Sequence, residues 1–446
     1  MIVPGTRRTP VLVLLVALVL ALSLGLTGRS AAQANDPQPT IQINIGRPGD
    51  RAVPIALPLP KGAGTDAQAF WAVVKRDLEL SGWFRVLDPN ASLEPSSAGI
   101  RPGEFDFAAW RPSGASVLAK TSTTSEGANL AVEVWVYELA GASKLGAKRF
   151  AAPPSGSRAL AHRVANEIIY LVTGQRSFFD TRFTFAGKFG ANKEIYVVDA
   201  DGEGRRAITK NGSINIKPRW STTGGAIAYT SFLNGNPDLY VADLAKGVIR
   251  RVSARTGINT GGAFAPGGGL LALTLSVGSD SEIFTIDPES GAQVARLTAS
   301  PGIDVSPTWS PDGGQIAFVS ERSGSPQIYV MSAGGGGARR VSFQGGQNTD
   351  PSWSPKGDRI AFVTREGHFD VMTVRLDGTG LTRITQDQGD NEDPSWSPEG
   401  DYLAFSSTRT GAAHIWVASA DGSFQAQITQ GGGGYTNPNW SPHLSW

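Results

Sequence analysis

The stretch PTWSPDGGQIAFVS, Pro307 to Ser320, decides the fold. It returns as PSWSPKGDRIAFVT (351–364) and PSWSPEGDYLAFSS (394–407), and its opening alone recurs as PNWSPHLSW (438–446). Aligning the aromatic of each copy gives Trp220, Phe264, Trp309, Trp353, Trp396 and Trp440, spaced 44, 45, 44, 43 and 44 residues apart. A fixed period of about 40–45 residues is the mark of propeller blades. Within the unit starting at Trp309, "PTWS" reads as a short strand and "SPDG" as a type I turn. "QIAFVS", "QIYVM" (Gln327–Met331) and "RRVS" (Arg339–Ser342) read as three more strands. Asp-Gly at 201–202, 377–378 and 421–422 suits the tight hairpins before the fourth strands. Four short strands and no helical period make a blade rather than a solenoid coil.

The incomplete last copy then has a purpose. The first unit holds "RFTFAG" (182–187), "EIYVVD" (194–199) and "RRAIT" (205–209), but no Trp-Ser-Pro strand ahead of them. The C-terminal copy supplies it, so the expectation is a six-bladed β-propeller closed by the C-terminal strand, with Trp440 beside Phe183. The repeated aromatics are expected to fill the gaps between blades.

The 446 residues exceed one ordinary domain and are rich in Gly (55) and Pro (28). Residues 1–34 read as a cleavable signal peptide: Arg7 and Arg8, an apolar run from Val11 to Leu26, and a small-residue site ending at Ala34. The run is shorter than the roughly 20 residues that span a bilayer, so no membrane insertion of the mature chain is expected. Removing the signal takes away three Arg and no acid, shifting the formal charge from +1 to −2. That near-neutral balance carries no basic footprint for nucleic acid. With no Cys, disulfides, thiolate catalysis, Cys-bound zinc and an N-terminal lipidated Cys are excluded.

Residues 35–60 read as an N-terminal arm and linker, 61–177 as a small α+β domain and 178–446 as the propeller. In the α+β domain, Thr65–Gly82 has a capping-box start and a glycine stop, with Phe70, Val73, Val74 and Leu78 on one face. A second helix spans about Arg158 to Val172, and Ser116–Thr121 and Leu130–Leu139 read as strands between them. In the arm, Ile41, Ile43 and Ile45 alternate with Gln42, Asn44 and Gly46, a strand that pairs at home or adds to a partner's sheet.

Little in the chain points to catalysis. His162, His368, His414 and His443 fall in different elements, and no G-x-S-x-G occurs. No cofactor or metal is expected from these residues. One polar constellation stands out. Three residues ahead of each repeat aromatic lie Lys217, Gly261, Ser306, Asp350, Asp393 and Asn437; five ahead lie Asn215, Asn259, Asp304, Asn348, Asn391 and Tyr435. A blade's first strand is innermost, so both sets are expected around one mouth of the central channel. They serve either as loop-capping turn residues or as a polar funnel that grips a partner and could offer Asp304, Asp350 and Asp393 to a cation. A propeller hydrolase or lyase, or a lectin using Tyr435, is the alternative reading of the same funnel.

The junction HRVANEIIYLVTGQRSFFDTRFTFAGK (162–188), the Trp-Ser-Pro blades and the terminal WSPHL resemble the TolB family across nearly the whole chain after residue 34. The resemblance implies a non-enzymatic periplasmic hub of the Tol–Pal system, supporting outer-membrane integrity and invagination during cell division. It implies that the lipoprotein Pal docks around the channel mouth and that the arm, Ile41–Gly46, contacts TolA. The copy around Phe264 departs from the pattern, with "APGG" for the usual turn and Gly261-Gly262 ahead of it.

Overall fold

The structure, a computed structural model, describes residues 48–444 apart from 50, 63–66 and 89–91. Six four-stranded antiparallel sheets form the propeller. Their innermost strands are Asn215–Trp220 (blade I), Asn259–Phe264 (II), Asp304–Trp309 (III), Asn348–Trp353 (IV), Asn391–Trp396 (V) and Tyr435–Trp440 (VI). Blade VI joins the two ends of the repeat region: Tyr435–Trp440 pairs with Arg182–Phe189, placing Trp440 opposite Phe183 with ring centroids 4.6 Å apart. Closure removes the unpaired edge that an open ring would expose.

Trp220, Trp353, Trp396 and Trp440 are buried between blades, and Trp309 is partly buried. Trp220 packs on Ala186, Ile195 and Val197 of blade VI, and Trp396 on Ala361 and Val371 of blade IV. Several turn their indole N–H to fixed acceptors, as Trp396 does to the Ser352 carbonyl at 3.1 Å and Trp440 to Thr181 Oγ1 at 2.7 Å. An aromatic of this size excludes water from the gap; the Trp220 indole N–H is the exception in finding no acceptor among the described residues.

The front domain is one sheet. Its strands are β1 (Val53–Ala56), β2 (Lys61–Gly62), β3 (Phe84–Val86), β4 (Val117–Glu126), β5 (Asn129–Glu138) and β6 (Ser143–Ala152). The order is β3-β1-β4-β5-β6, with β1 parallel to both neighbours. Helices α1 (Ala67–Leu80) and α2 (Ser157–Thr173) cover one face. Phe70, Val74 and Leu78 of α1 meet Leu160, Val164 and Ile168 of α2 over Ile55, Val117 and Val132. Gly174, at φ 71°, stops α2. Two expectations need correcting. Residues 53–56, assigned above to the arm and linker, are an inner strand of this sheet, because Val53 and Ile55 bury into its helix-covered core. Strand β6 was not foreseen.

The core runs without a break into the propeller through Phe178, Phe179, Phe183, Tyr402 and Trp440. The front domain sits at the end of the propeller where the inner strands finish. There Tyr402 donates to the Ser81 carbonyl (2.6 Å), and Arg76 donates to the Asp201 carbonyl (2.7 Å). The start of each inner strand lies at the opposite mouth.

Candidate functional site

The residues five ahead of the repeat aromatics do not face the channel. Asn215, Asn259, Asp304, Asn348 and Asn391 are fully buried, and the four Asn each clasp one blade to the one before it. Between blades IV and V, Thr385 Oγ1 donates to Asp370 Oδ1 (2.8 Å), Asn391 Nδ2 donates to the same oxygen (3.3 Å), and Arg409 donates to Asn391 Oδ1 (2.9 Å). Asn348 Nδ2 and Ser342 Oγ share Gln327 Oε1 in the same way, and Asn215 Nδ2 reaches Glu194. Asn259 accepts from Ser253 Oγ at 2.6 Å, and Asp304 from Ser300 and Arg322. In blade VI the trio becomes His414, Thr429 and Tyr435, with His414 edge-on to the Tyr435 ring. The expectation that these side chains ring the mouth is therefore corrected. Their amides complete buried carboxylates and loop carbonyls, as burial of a polar group requires. Tyr435 is equally enclosed, so it offers no exposed aromatic to a sugar.

The residues three ahead behave differently. Lys217, Gly261, Ser306, Asp350, Asp393 and Asn437 all have left-handed backbones, with φ of 50°, 73°, 56°, 49°, 57° and 55°. Each sits in a bulge where two residues of the inner strand oppose one of its partner, as between Ile216 and Arg219 in blade I. Such a bulge disrupts the ladder and re-aims a side chain, here into the channel. Asn, Asp and Gly tolerate this conformation; Lys217 and Ser306 adopt it at a cost of about 1 kcal/mol.

Within the ring, Lys217 Nζ spans the channel from blade I to Asp350 Oδ1 of blade IV, 3.1 Å away. Asn437 Nδ2 donates to Asp393 Oδ2 at 2.8 Å, and the Lys217 backbone N–H donates to Asn437 Oδ1 at 3.3 Å. Asp350 holds Lys217 above its ordinary value, against the pull of the channel's partial dehydration. Burial raises Asp350, but Lys217 outweighs it and holds the carboxyl below its usual range; Asp393, burdened by burial and by Asp350, is pushed up. The ring is thus a mixed-charge set whose carboxylates are unequal.

Two channel residues were missed from the sequence. Glu392, four ahead of Trp396, is pushed up to about 7 by burial, then by Asp393, Asp350 and Asp390. Arg219, one ahead of Trp220, lines a funnel of about 370 Å³ at the far mouth among the Trp-Ser-Pro corners of the blades. No signal in the letters of "NIKPRW" or "NEDPSW" would have found them, because the bulge decides which side chains of the inner strand face the channel.

Of the four His, His162 is sealed between α1 and α2, its Nδ1 2.7 Å from Asp77 Oδ2, with Asp201 of blade VI beside the pair. Arg158 already donates to Asp201, so the group is an ion cluster at the domain junction. His443 lies between Asp180 (2.7 Å) and Glu399 (2.8 Å). The arm residues Ile41, Gln42, Ile43, Asn44, Ile45 and Gly46 lie outside the described residues.

Comparison with known proteins meets this geometry. Residues 170–444 match the model of the TolB beta propeller domain, and residues 41–145 that of the TolB amino-terminal domain. The chain belongs to the TolB family. It is 35% identical over 343 residues to the Protein TolB homolog of Chlorobium luteolum, covering 75% of this chain and 78% of that one. It is 34% identical over 325 residues to the Tol-Pal system protein TolB of Bordetella pertussis, covering 72% and 71%. The crystal structure of TolB from Acinetobacter baumannii superposes with a TM-score of 0.80 at 25% identity, over 89% of this chain and 98% of that one. Family membership gives the chain a general place in the Tol–Pal system, as a non-enzymatic component. Among the described residues, no helix is long and apolar enough to cross a membrane.

Proposed function

We propose that the mature chain is a periplasmic docking platform, exported through residues 1–34 and cut near Ala34, that links Pal to TolA and the inner-membrane Tol proteins. In this role it supports outer-membrane integrity and invagination during division. The observation that carries the reading is the ring of six left-handed residues at the mouth away from the front domain. Five of the six bulges, all but the one at Gly261, turn a side chain toward the channel. Of the positions named above, Lys217, Ser306, Asp350, Asp393 and Asn437 would meet Pal, while Asn215, Asn259, Asp304, Asn348 and Asn391 would shape the loops beneath it.

The arm at Ile41–Gly46 would contact TolA. Its base is anchored in a way that suits this role. Ser423 Oγ donates to the Pro48 carbonyl at 2.9 Å, and Gly49 N–H donates to the Gly82 carbonyl at 3.1 Å. A cleft of about 440 Å³ leads on from Pro48 between Trp83, Tyr402 and Lys356.

Capture of the soluble domain of Pal tests the mouth. Asp350→Lys with Asp393→Lys should abolish capture, with the melting temperature of the variant measured alongside because Asp393 is largely buried and Asp350 pairs with Lys217. Undiminished capture would remove these residues from the interface.

A further inference from the structure

A ring of six similar blades could receive a partner in six rotations, yet this mouth is not uniform. Ile214, Ile258 and Ile303 occupy one position, six residues ahead of the aromatic in blades I, II and III, and all are exposed, at 44%, 38% and 38%. Leu233, in the turn after Ala226–Ser231 of blade I, is exposed beside them at 47%. The equivalent position holds Gln347 in blade IV and Asp390 in blade V. Single exposed apolar residues are ordinary, but the same one repeated on three adjacent blades sets out an apolar arc along one side of the mouth.

Across the channel, blade V presents acid. Asp390 accepts from Phe369 N–H and lies 3.4 Å from His368, and Asp393 is held by Asn437. Glu392 has neither a hydrogen bond nor an ion pair among the described residues, although its side chain is half-buried in the channel wall. Lys217 is turned to Asp350 instead. Burial and the neighbouring Asp393, Asp350 and Asp390 hold Glu392 up at about 7. A cation brought to it would relieve that repulsion, and charge complementarity of this sort fixes the orientation of a partner.

We propose that the mouth is a two-part socket for a protein partner: Ile214, Ile258 and Ile303 take an apolar flank, and Glu392 receives a Lys or Arg at the partner's tip. This rests on the reading of the mouth as the Pal-docking face and adds the chemistry and the single rotation with which the partner seats. Apolar and acidic arcs on opposite sides leave one of the six rotations favourable.

Calorimetric titration with the soluble domain of Pal, at two salt concentrations, tests it. Ile214→Asp with Ile258→Asp should weaken binding by about tenfold or more at unchanged melting temperature, since both residues are exposed. Glu392→Gln should weaken it and flatten its salt dependence. Wild-type affinity in the isoleucine variant, alongside loss in Asp350→Lys with Asp393→Lys, would overturn the socket and leave the mouth in place. Unchanged affinity and salt dependence in Glu392→Gln would overturn its cationic half. No binding by the wild-type chain would overturn the mouth itself.

Discussion

Two layers of the same inner strands, two residues apart, both carry Asn and Asp, and those residues end in different states. Five residues ahead of each aromatic, Asn and Asp are sealed: Asn391 is fixed by Asp370 and Arg409, and Asp304 by Ser300 and Arg322. Three residues ahead, Asp350 and Asp393 line the channel, Asp350 tied to Lys217 across it and to Thr349 beside it, and Asp393 to Asn437. Residue type is therefore no guide to role in this fold. What largely separates the layers is how far the protein itself completes the hydrogen bonds of the side chain, the buried Asn348 Oδ1, which has no partner among the described residues, being the exception. A completed group belongs to the scaffold, and an incompletely matched one is available to a partner.

The comparison breaks most visibly on stability. Asp304→Ala leaves the Arg322 guanidinium without the buried carboxylate that it meets at 3.0 Å. Losing one partner of a buried ion pair costs about 3–5 kcal/mol, somewhat less here because Arg322 keeps part of its hydration. Asp350→Asn in the open layer should cost under about 1 kcal/mol, as for other partly exposed pairs. Denaturant unfolding of the two variants gives both numbers directly. Equal losses would show the ring to be as structural as the clasps.

That contrast also marks how far the sequence could be read. The 44-residue period and the stray Trp440 strand announce six closed blades, because periodicity and strand alternation are local signals. Helix α2 was similarly plain from Leu160, Val164 and Ile168. Strand β1 was hidden: it is four residues long, contains Pro54, and is stabilised only by parallel neighbours far along the chain. Strand β6, "SKLGAKRFAA", is mostly exposed and carries no apolar alternation to betray it. At the site, nothing in the letters distinguishes Asn348 from Asp350. The difference lies in a one-residue bulge, which turns one side chain into the blade interface and the next into the channel. Glu392 was overlooked for the same reason.

A sealed cluster should also report pH through stability, as an open one reports it through binding. In the junction between α1, α2 and blade VI, burial pushes the Asp77 carboxyl up to about 6. Burial opposes charge on His162, but Asp77 outweighs it and raises the imidazole above its ordinary 6.5. Asp201, Arg158 and Arg76 complete the surroundings. The folded pair therefore binds its shared proton more tightly than the unfolded chain does. The Asp77 share of this stabilisation is fully present below pH 3.8 and is lost as pH rises through about 6; the His162 share is fully present below pH 6.5 and is lost as pH rises through its raised folded value. Melting temperature should therefore fall from about pH 4 upward, and more gently in His162→Gln with Asp77→Asn. Identical slopes in variant and wild type would place the titration elsewhere.

The smallest effect is the most discriminating, because it concerns the backbone of the ring alone. Blade II carries Gly261 where its neighbour carries Ser306, at φ 73° against 56°. The backbone N–H of Ser306 already meets Thr274 Oγ1 at 3.3 Å, a bond that glycine would keep. Ser306→Gly removes a left-handed strain of about 1 kcal/mol and adds unfolded-chain entropy worth about 0.5–1 kcal/mol. The two nearly cancel, so stability should stay within about 0.5 kcal/mol of wild type. Ser306→Val, which cannot hold a positive φ without clash, should instead lose about 1–3 kcal/mol. A tolerant Ser306→Val would mean that the bulge relaxes when its side chain changes. The channel ring would then be a property of particular residues rather than of the blade repeat.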